Sequence, residues 1–327
     1  MTICKQILLT GYYHATRPVR WSNHWLAVAA QRVPVAVIFF HRVADDRANS
    51  WTTSTAMFEQ QIGWLQSRFE LISLQAAQQR IRSGRNYKPA VSITFDDGYA
   101  DNLTRAIPML IERQIPCTYF VTLHNVLTGE PFAHDLVRGD HFAPNSIEQL
   151  REMAAAGIEI GCHTCTHADL GAIDDPRLLR HEVVVSGIRL QEALKQRVRY
   201  FAFPYGRREN LQRAAFQMAY EAGYEAVCSA YGALNFPGDD AFHIQRVGVD
   251  DDLISLKNWL TGDPRKLRIP RYDYGRLEAL SLAARNTDES QGLRPAAEES
   301  GMTDTFTGTV PISGGEARES GTVPLGR

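Results

Sequence analysis

The sequence predicts an α/β fold whose parallel strands close into a barrel, and three observations predict it. From Val33 onward, short β-branched or aromatic runs alternate with helical patterns, as strand–helix repeats around a parallel sheet do. Most of the runs are almost continuously apolar, which strands covered on both faces require. There are seven or eight of them, a set that points to a barrel rather than an open sheet.

Taken in order, residues 1–32 show no strong periodicity and read as an N-terminal extension. The candidate strands are Val35–Phe40, Phe69–Leu74, Val91–Phe95, Cys117–Val121, Ile158–Cys162, Arg199–Phe203, Glu225–Ser229 and Phe242–Val249. Between them, Ser146-Ile147-Glu148-Gln149 reads as a capping box opening a helix that stops at Gly157. Asp175-Pro176 opens a second helix toward Lys195, and a third runs from about Asn210 to Ala222 and ends at Gly223. The barrel is expected over residues 33–270 and a tail over 271–327. In residues 287–327, Gly, Pro, Ser and Thr make up 20 of 41 positions while Leu, Ile, Val and Phe supply six. Such a segment cannot bury enough apolar surface to offset its ordering entropy, so disorder is expected from about residue 287.

Composition narrows the function classes. Of 327 residues, 44% are hydrophobic and 22% charged, and 35 Lys and Arg against 37 Asp and Glu leave a net charge of −2. That balance argues against binding polyanions such as nucleic acid through bulk charge. The apolar run Val33–Phe40 is far short of the ~20 residues a membrane span needs, so no transmembrane segment is expected. After Lys5, Ile7-Leu8-Leu9 gives way at once to polar residues, unlike the roughly 7–15 apolar residues of a secretory signal. Five cysteines (Cys4, Cys117, Cys162, Cys165, Cys228) are too sparse for a disulfide framework and read as free thiols. A cytoplasmic location is the expectation, with peripheral membrane association left open.

Three segments carry chemistry. Val91–Phe95 runs into Asp96-Asp97-Gly98, two adjacent carboxylates at the strand end where parallel α/β proteins place their active sites. Adjacent residues point in different directions, so one carboxylate can bind a cation while the other handles a proton. Alone, Asp-Asp-Gly reads more readily as a turn and helix cap. The second segment, Gly161-Cys162-His163-Thr164-Cys165-Thr166-His167, places two imidazoles four residues apart at another strand end, within reach of one metal. Two histidines and a carboxylate with open positions make a hydrolytic zinc set. The embedded Cys162-x-x-Cys165 has redox spacing but follows a strand rather than opening a helix. The third segment, Arg199–Phe203 into Pro204-Tyr205-Gly206, is a strand and turn that can present a backbone N–H to an oxyanion.

In this order and spacing, Thr94-Phe95-Asp96-Asp97-Gly98, His163-Thr164-Cys165-Thr166-His167 and Phe203-Pro204-Tyr205-Gly206 resemble the first three motifs of the polysaccharide deacetylases, carbohydrate esterase family 4. The resemblance covers roughly residues 33–260. It implies a distorted (β/α) barrel, often seven-stranded, and metal-dependent removal of N-acetyl groups from amino sugars in a glycan or glycolipid. It makes Asp97, His163 and His167 the metal ligands, Asp96 the general base and the Tyr205 N–H an oxyanion donor. Zn²⁺ is the default ion for this ligand set, with Co²⁺, Mn²⁺ or Ni²⁺ as alternatives.

The sequence departs from the family pattern in two places. Where many members carry an arginine two residues before Pro-Tyr, this chain has Ala202, and Arg246 is the candidate substitute for positioning the base. The usual late Leu-x-His is missing, so His41, at the end of the first strand in Phe39-Phe40-His41-Arg42-Val43, is the preferred acid, with His243 behind it. The connection from His124 to Asn145, which holds Phe132, His134, Asp135 and His141, reads as a cleft-shaping loop or a surface excursion and receives no catalytic residue. Two other readings stay open. A carbohydrate-binding protein that has lost turnover would bind metal without releasing acetate, and a non-haem iron enzyme would require oxygen.

Overall fold

The computed structural model describes residues 3–267 and 269–275. Eight parallel strands form the main sheet: β1 (Val35–Phe40), β2 (Ala90–Phe95), β3 (Cys117–Val121), β4 (Glu159–Cys162), β5 (Tyr200–Ala202), β6 (Ala226–Ser229), β7 (His243–Gln245) and β8 (Val247–Gly248). Their order is β7-β6-β5-β4-β3-β2-β1-β8. The path comes back on itself because its two edge strands are neighbours in the chain. His243 to Gln245 pair with Val227 to Ser229, then Val247 and Gly248 pair with Ile38 and Phe39. Arg246 alone separates the two halves, so the sheet is a nearly closed barrel. The resemblance implies a barrel that is often seven-stranded. Of the eight candidate strands, seven lie on the barrel path, and the eighth barrel strand arises because the expected strand Phe242–Val249 is broken at Arg246.

β1 and β2 form the spine, in register from Val35 opposite Ala90 to Phe40 opposite Phe95. Their residues are buried almost throughout, which matches the continuous apolar runs. The expected strand Phe69–Leu74 shrinks to Glu70–Leu71, which pairs with β2 outside the barrel path. Ser73 ends it: its side chain accepts the Ala76 N–H and opens α4 (Leu74–Arg82), so a helix cap overrides β-propensity. Gln78 of α4 donates to the carbonyls of Glu225 and Ala241, which precede β6 and β7, and Ala77 and Ile81 pack with Val35, Val37 and Ile244. This helix therefore caps the end of the barrel opposite the strand C-termini.

The expected helices are found at Ile147–Ala155, with the Ser146/Gln149 capping box formed, and at Arg213–Glu221. The third covers Pro176–Leu194 but loosens into a π-turn at His181–Val185. Residues 1–32 are not featureless. They form α1 (Ile3–Ala15) and α2 (Arg17–Ala29), anchored on the helix Leu253–Leu260 through Arg20 and Asn258. The tail expected to be disordered from about residue 287 lies outside the described residues. No described helix is long and apolar enough to cross a membrane.

Candidate functional site

All three motifs lie at the C-terminal ends of barrel strands, Asp96 and Asp97 after β2, His163 and His167 after β4, and Tyr205 after β5. The backbone there is strained. Asp97 has φ +73° and the Gly98 N–H donates to the Asp96 carbonyl, so Asp97 sits at the centre of a γ-turn of the rare strained kind. Gly98 continues at φ +103°, a conformation glycine alone tolerates well. Tyr205 repeats the arrangement, with φ +58° and the Gly206 N–H on the Pro204 carbonyl. Thr164 and His167 are also left-handed, at φ +67° and +61°. Such conformations cost of order 1–3 kcal/mol each and persist where the surroundings over-determine them. Here they turn successive side chains out of line, so that Asp96 and Asp97 serve different partners.

Asp97 faces the two histidines. Its Oδ1 lies 3.2 Å from His167 Nε2 and 3.5 Å from His163 Nε2, and the three donor atoms fall within 4.8 Å of one another. Asp97 and His163 are buried, and His167 is 13% exposed. Oδ1 is nevertheless buried with no hydrogen-bond partner. A buried carboxylate oxygen left in that state is costly unless something positive completes it, and the donor set is that of a tetrahedral divalent ion with open positions. The residues thus fit a metal.

Hydrogen bonding fixes the imidazole tautomer. His163 Nδ1–H donates to the Ala202 carbonyl at 2.8 Å, leaving the Nε2 lone pair toward Asp97, the usual support for a metal-ligating histidine. Burial pulls the His163 pKa down to about 4, so it is neutral near pH 7. Burial also works against the Asp97 carboxylate, but the His167, His41 and His134 imidazoles outweigh it and hold that group well below the usual range. His167 is pulled down by burial and raised more by Asp97, and ends above its ordinary value. The loop between His163 and His167 is held by Glu182, buried at the π-turn. Its Oε2 accepts the Cys165 and Thr166 N–H groups at 2.9 and 3.0 Å, and its Oε1 accepts the Thr166 hydroxyl at 2.8 Å.

Asp96 turns the other way, into the barrel. Arg246 grips it with two bonds, Nη1 to Oδ1 at 2.6 Å and Nη2 to Oδ2 at 2.8 Å. Arg246 is itself wholly buried, donating also to the Ser229 carbonyl and the Thr94 hydroxyl and lying over the Phe39 and Phe120 rings. The break between β7 and β8 places this guanidinium at the barrel axis. The sequence candidate for replacing the missing arginine therefore does meet Asp96.

His41 follows β1, is partly buried with its ring edge-on to Phe39 at 5.4 Å, and is close enough for its charge to act on Asp97. Tyr205 is 52% exposed and its ring meets His167 at 5.0 Å. His243 stands apart. Its Nε2 bonds the Ser229 hydroxyl, and its ring lies among Phe216, Tyr231 and Tyr274. It alternates with Ile244, which joins the core cluster, and so faces away from Asp97, His163 and His167. Cys162 and Cys165 are free buried thiols, and burial pushes Cys165 up to about 12, so the redox spacing has no reactive thiolate behind it.

His134 is the residue the sequence reading left without a role. Its Nε2 lies 2.9 Å from the Tyr99 hydroxyl and 3.8 Å from Asp97 Oδ2, and its ring is 4.8 Å from that of His167. The hydroxyl settles its tautomer. Trp51 Nε1–H donates to Tyr99 Oη, whose own proton goes to Asp135 Oδ2, so the remaining lone pair accepts His134 Nε2–H. That nitrogen is a donor facing the site and is not a fourth ligand. No local signal finds this group, because Trp51, Tyr99 and His134 are brought together by loop packing around Phe132 and Phe142.

At its strand ends the barrel thus gathers a carboxylate and two imidazoles that could hold a metal ion, beside a second, separately held carboxylate. The family profile described as polysaccharide deacetylase matches residues 83–227, a stretch that contains all three motifs. The solved structure of IcaB from Ammonifex degensii is similar, with a TM-score of 0.57 and 27% identity over 70% of this chain and 97% of that one. The poly-beta-1,6-N-acetyl-D-glucosamine N-deacetylase of Staphylococcus aureus is 24% identical over 263 residues, covering 76% of this chain and 81% of that protein. YxkH of Bacillus subtilis, whose name places it in the same family, is 27% identical over 190 residues, and the match spans 62% of its length.

Proposed function

We propose that this chain is a metal-dependent hydrolase that removes N-acetyl groups from an N-acetylated amino-sugar polymer. The observation that carries the reading is the buried, unpartnered Asp97 Oδ1 beside two imidazole Nε2 atoms, with a second aspartate held separately next to it. Asp97, His163 and His167 would hold the ion, with Zn²⁺ the first choice and Co²⁺, Mn²⁺ or Ni²⁺ as alternatives. A divalent ion there supplies Lewis acidity, bringing the pKa of water down to about 7 and polarising the acetyl carbonyl.

The chain's own groups supply the proton traffic. Asp96 accepts the proton of the attacking water. Each of its oxygens keeps a free lone pair beyond the bond to Arg246, whose fork fixes the carboxylate plane. The Tyr205 N–H, at the γ-turn, is the oxyanion donor, and His41 delivers a proton to the leaving amine. The binding-only alternative drew on the missing arginine and the unclear acid, and the Arg246–Asp96 pair answers the first of these. The relatives make β-1,6-linked N-acetylglucosamine oligomers the first substrate to try.

The test is acetate release from such oligomers and from chito-oligosaccharides under anaerobic conditions. The expected result is turnover that a chelator abolishes and one equivalent of divalent ion restores. Activity that survives complete chelation would remove the metal from the account, and strict dependence on oxygen would favour the iron-enzyme reading.

A further inference from the structure

Helix α2 is turned inside out. Its inward face is polar: Arg20, 4% exposed, donates to the Thr16 hydroxyl, the Asn258 carbonyl and Asn258 Oδ1, and pairs with Asp263 at 3.5 Å, while Asn23 donates to the Gly262 carbonyl. Its outward face is apolar. Trp21, Trp25 and Leu26 are 66%, 56% and 68% exposed, and the two indoles meet edge to face at 5.9 Å. On α1, Ile7 and Leu8 are exposed to 65% and 68%. A surface helix normally shows the reverse arrangement, and contiguous exposed apolar patches of this kind mark a docking surface.

Charge identifies what docks. No Asp or Glu precedes Asp45, although the whole chain carries a net charge of −2. Within and just after the two helices stand Lys5, Arg17 and Arg32, with Arg17 and Arg32 exposed along with His14 and His24. A tryptophan-bearing apolar face edged by cations, on helices that themselves carry no carboxylate, is the composition of a helix lying in the interface of an anionic bilayer. Each helix has 13 residues, too few to span one.

We propose that α1 and α2 form an in-plane docking surface for anionic phospholipid headgroups, with Trp21, Trp25, Leu26, Ile7 and Leu8 entering the interface and Arg17 and Arg32 facing phosphate. This surface is independent of the chemistry proposed for the barrel mouth. It places the deacetylase domain against a membrane while leaving the strand-end site unchanged.

The test is sedimentation of the full chain with phosphatidylglycerol/phosphatidylcholine vesicles and with pure phosphatidylcholine vesicles. The expected result is binding to the anionic vesicles that is at least tenfold weaker on neutral ones and weaker in high salt. The triple variant Trp21→Ser, Trp25→Ser, Leu26→Ser and the double variant Arg17→Glu, Arg32→Glu should each lose at least tenfold in affinity. All five side chains are exposed, so circular dichroism and any turnover of a soluble substrate should stay as in the parent. Failure of the parent to bind, equal binding to neutral vesicles, or unaltered binding by the triple variant would overturn the proposal. So would a solution dimer that the triple variant abolishes in a parent that ignores vesicles, an outcome that assigns the face to a second copy.

Discussion

At the barrel mouth, Asp96, Asp97, His163 and Arg246 are all buried, whereas in α1 and α2 large apolar side chains stand in water and Arg20 is buried beneath them. Both regions depart from the ordinary placement of polar and apolar groups, but they are held differently. At the mouth, Arg246, Ala202 and Glu182 supply partners from β5, the β7/β8 break and a helix, and the strained turns at Asp97 and Tyr205 survive because several elements agree on their geometry. The outer face of α2 has no counterpart within the described residues. Strain and burial that a fold supports from several sides mark a reacting site, while exposure without cover marks a docking face.

The sharpest way to break the contrast is to remove one support from the mouth. Arg246→Ala leaves Asp96 buried without its cation, and an uncompensated buried charge costs about 3–5 kcal/mol. A clearly lowered urea midpoint is expected, whereas Arg246→Lys keeps the charge, loses the two-pronged grip and should fold with reduced turnover. Equal stability of Arg246→Ala and the parent would mean that the guanidinium is not what holds Asp96.

A smaller effect is expected at Glu182, whose carboxylate bonds to the loop residues Cys165 and Thr166. Glu182→Gln puts an amide where the carboxylate now accepts three bonds, loosening the loop between His163 and His167. Losses of about 10–100-fold in metal affinity are typical when such supporting groups are changed. Metal titration by calorimetry would show it, and an unchanged affinity would assign Glu182 to folding alone.

pH gives a weaker handle. The unfolded chain protonates His163 near its ordinary value of about 6.5, but the folded chain refuses that proton until about pH 4, because burial disfavours the charged ring. This group therefore withdraws stability from the metal-free protein as pH falls from about 6.5 to about 4. His167, raised above its ordinary value, acts in the opposite sense over its own range. The informative quantity is the difference between the parent and His163→Asn. Denaturation midpoints at pH 7 and pH 5 should fall more in the parent, and equal slopes would mean that His163 is not buried as described. The smallest effect belongs to the other region: Trp21→Ser and Trp25→Ser should each change stability by no more than about 0.5 kcal/mol, since both rings are exposed.

What could be read from the sequence follows from how local each signal is. The carboxylate pair, the two histidines and the Pro-Tyr-Gly turn lie within short segments at strand ends, so chain order alone brings them to one rim. Arg246 could be found because an expected arginine was missing and this one lies in a late strand. His134, Tyr99, Trp51 and Asp135 could not be recognised, since their meeting depends on two loops packing around Phe132 and Phe142. Glu182 looked like any acidic position on a helix. Phe69–Leu74 was misread because Ser73 capped a helix where β-propensity favoured a strand. Helices α1 and α2 escaped notice for a different reason: with Arg20 and Asn23 facing inward and Trp21 and Trp25 facing out, the apolar pattern carries no sign of the core.

The division of labour between the adjacent aspartates is tested most directly by comparing Asp96→Asn with Asp97→Asn, measuring bound metal by elemental analysis and acetate release on the same preparations. The account predicts that Asp96→Asn retains about one ion per chain and loses turnover by roughly 10²–10⁴-fold, while Asp97→Asn loses the ion and the turnover together. An Asp96→Asn protein that still releases acetate at the parental rate, or an Asp97→Asn protein that keeps its ion, would contradict it.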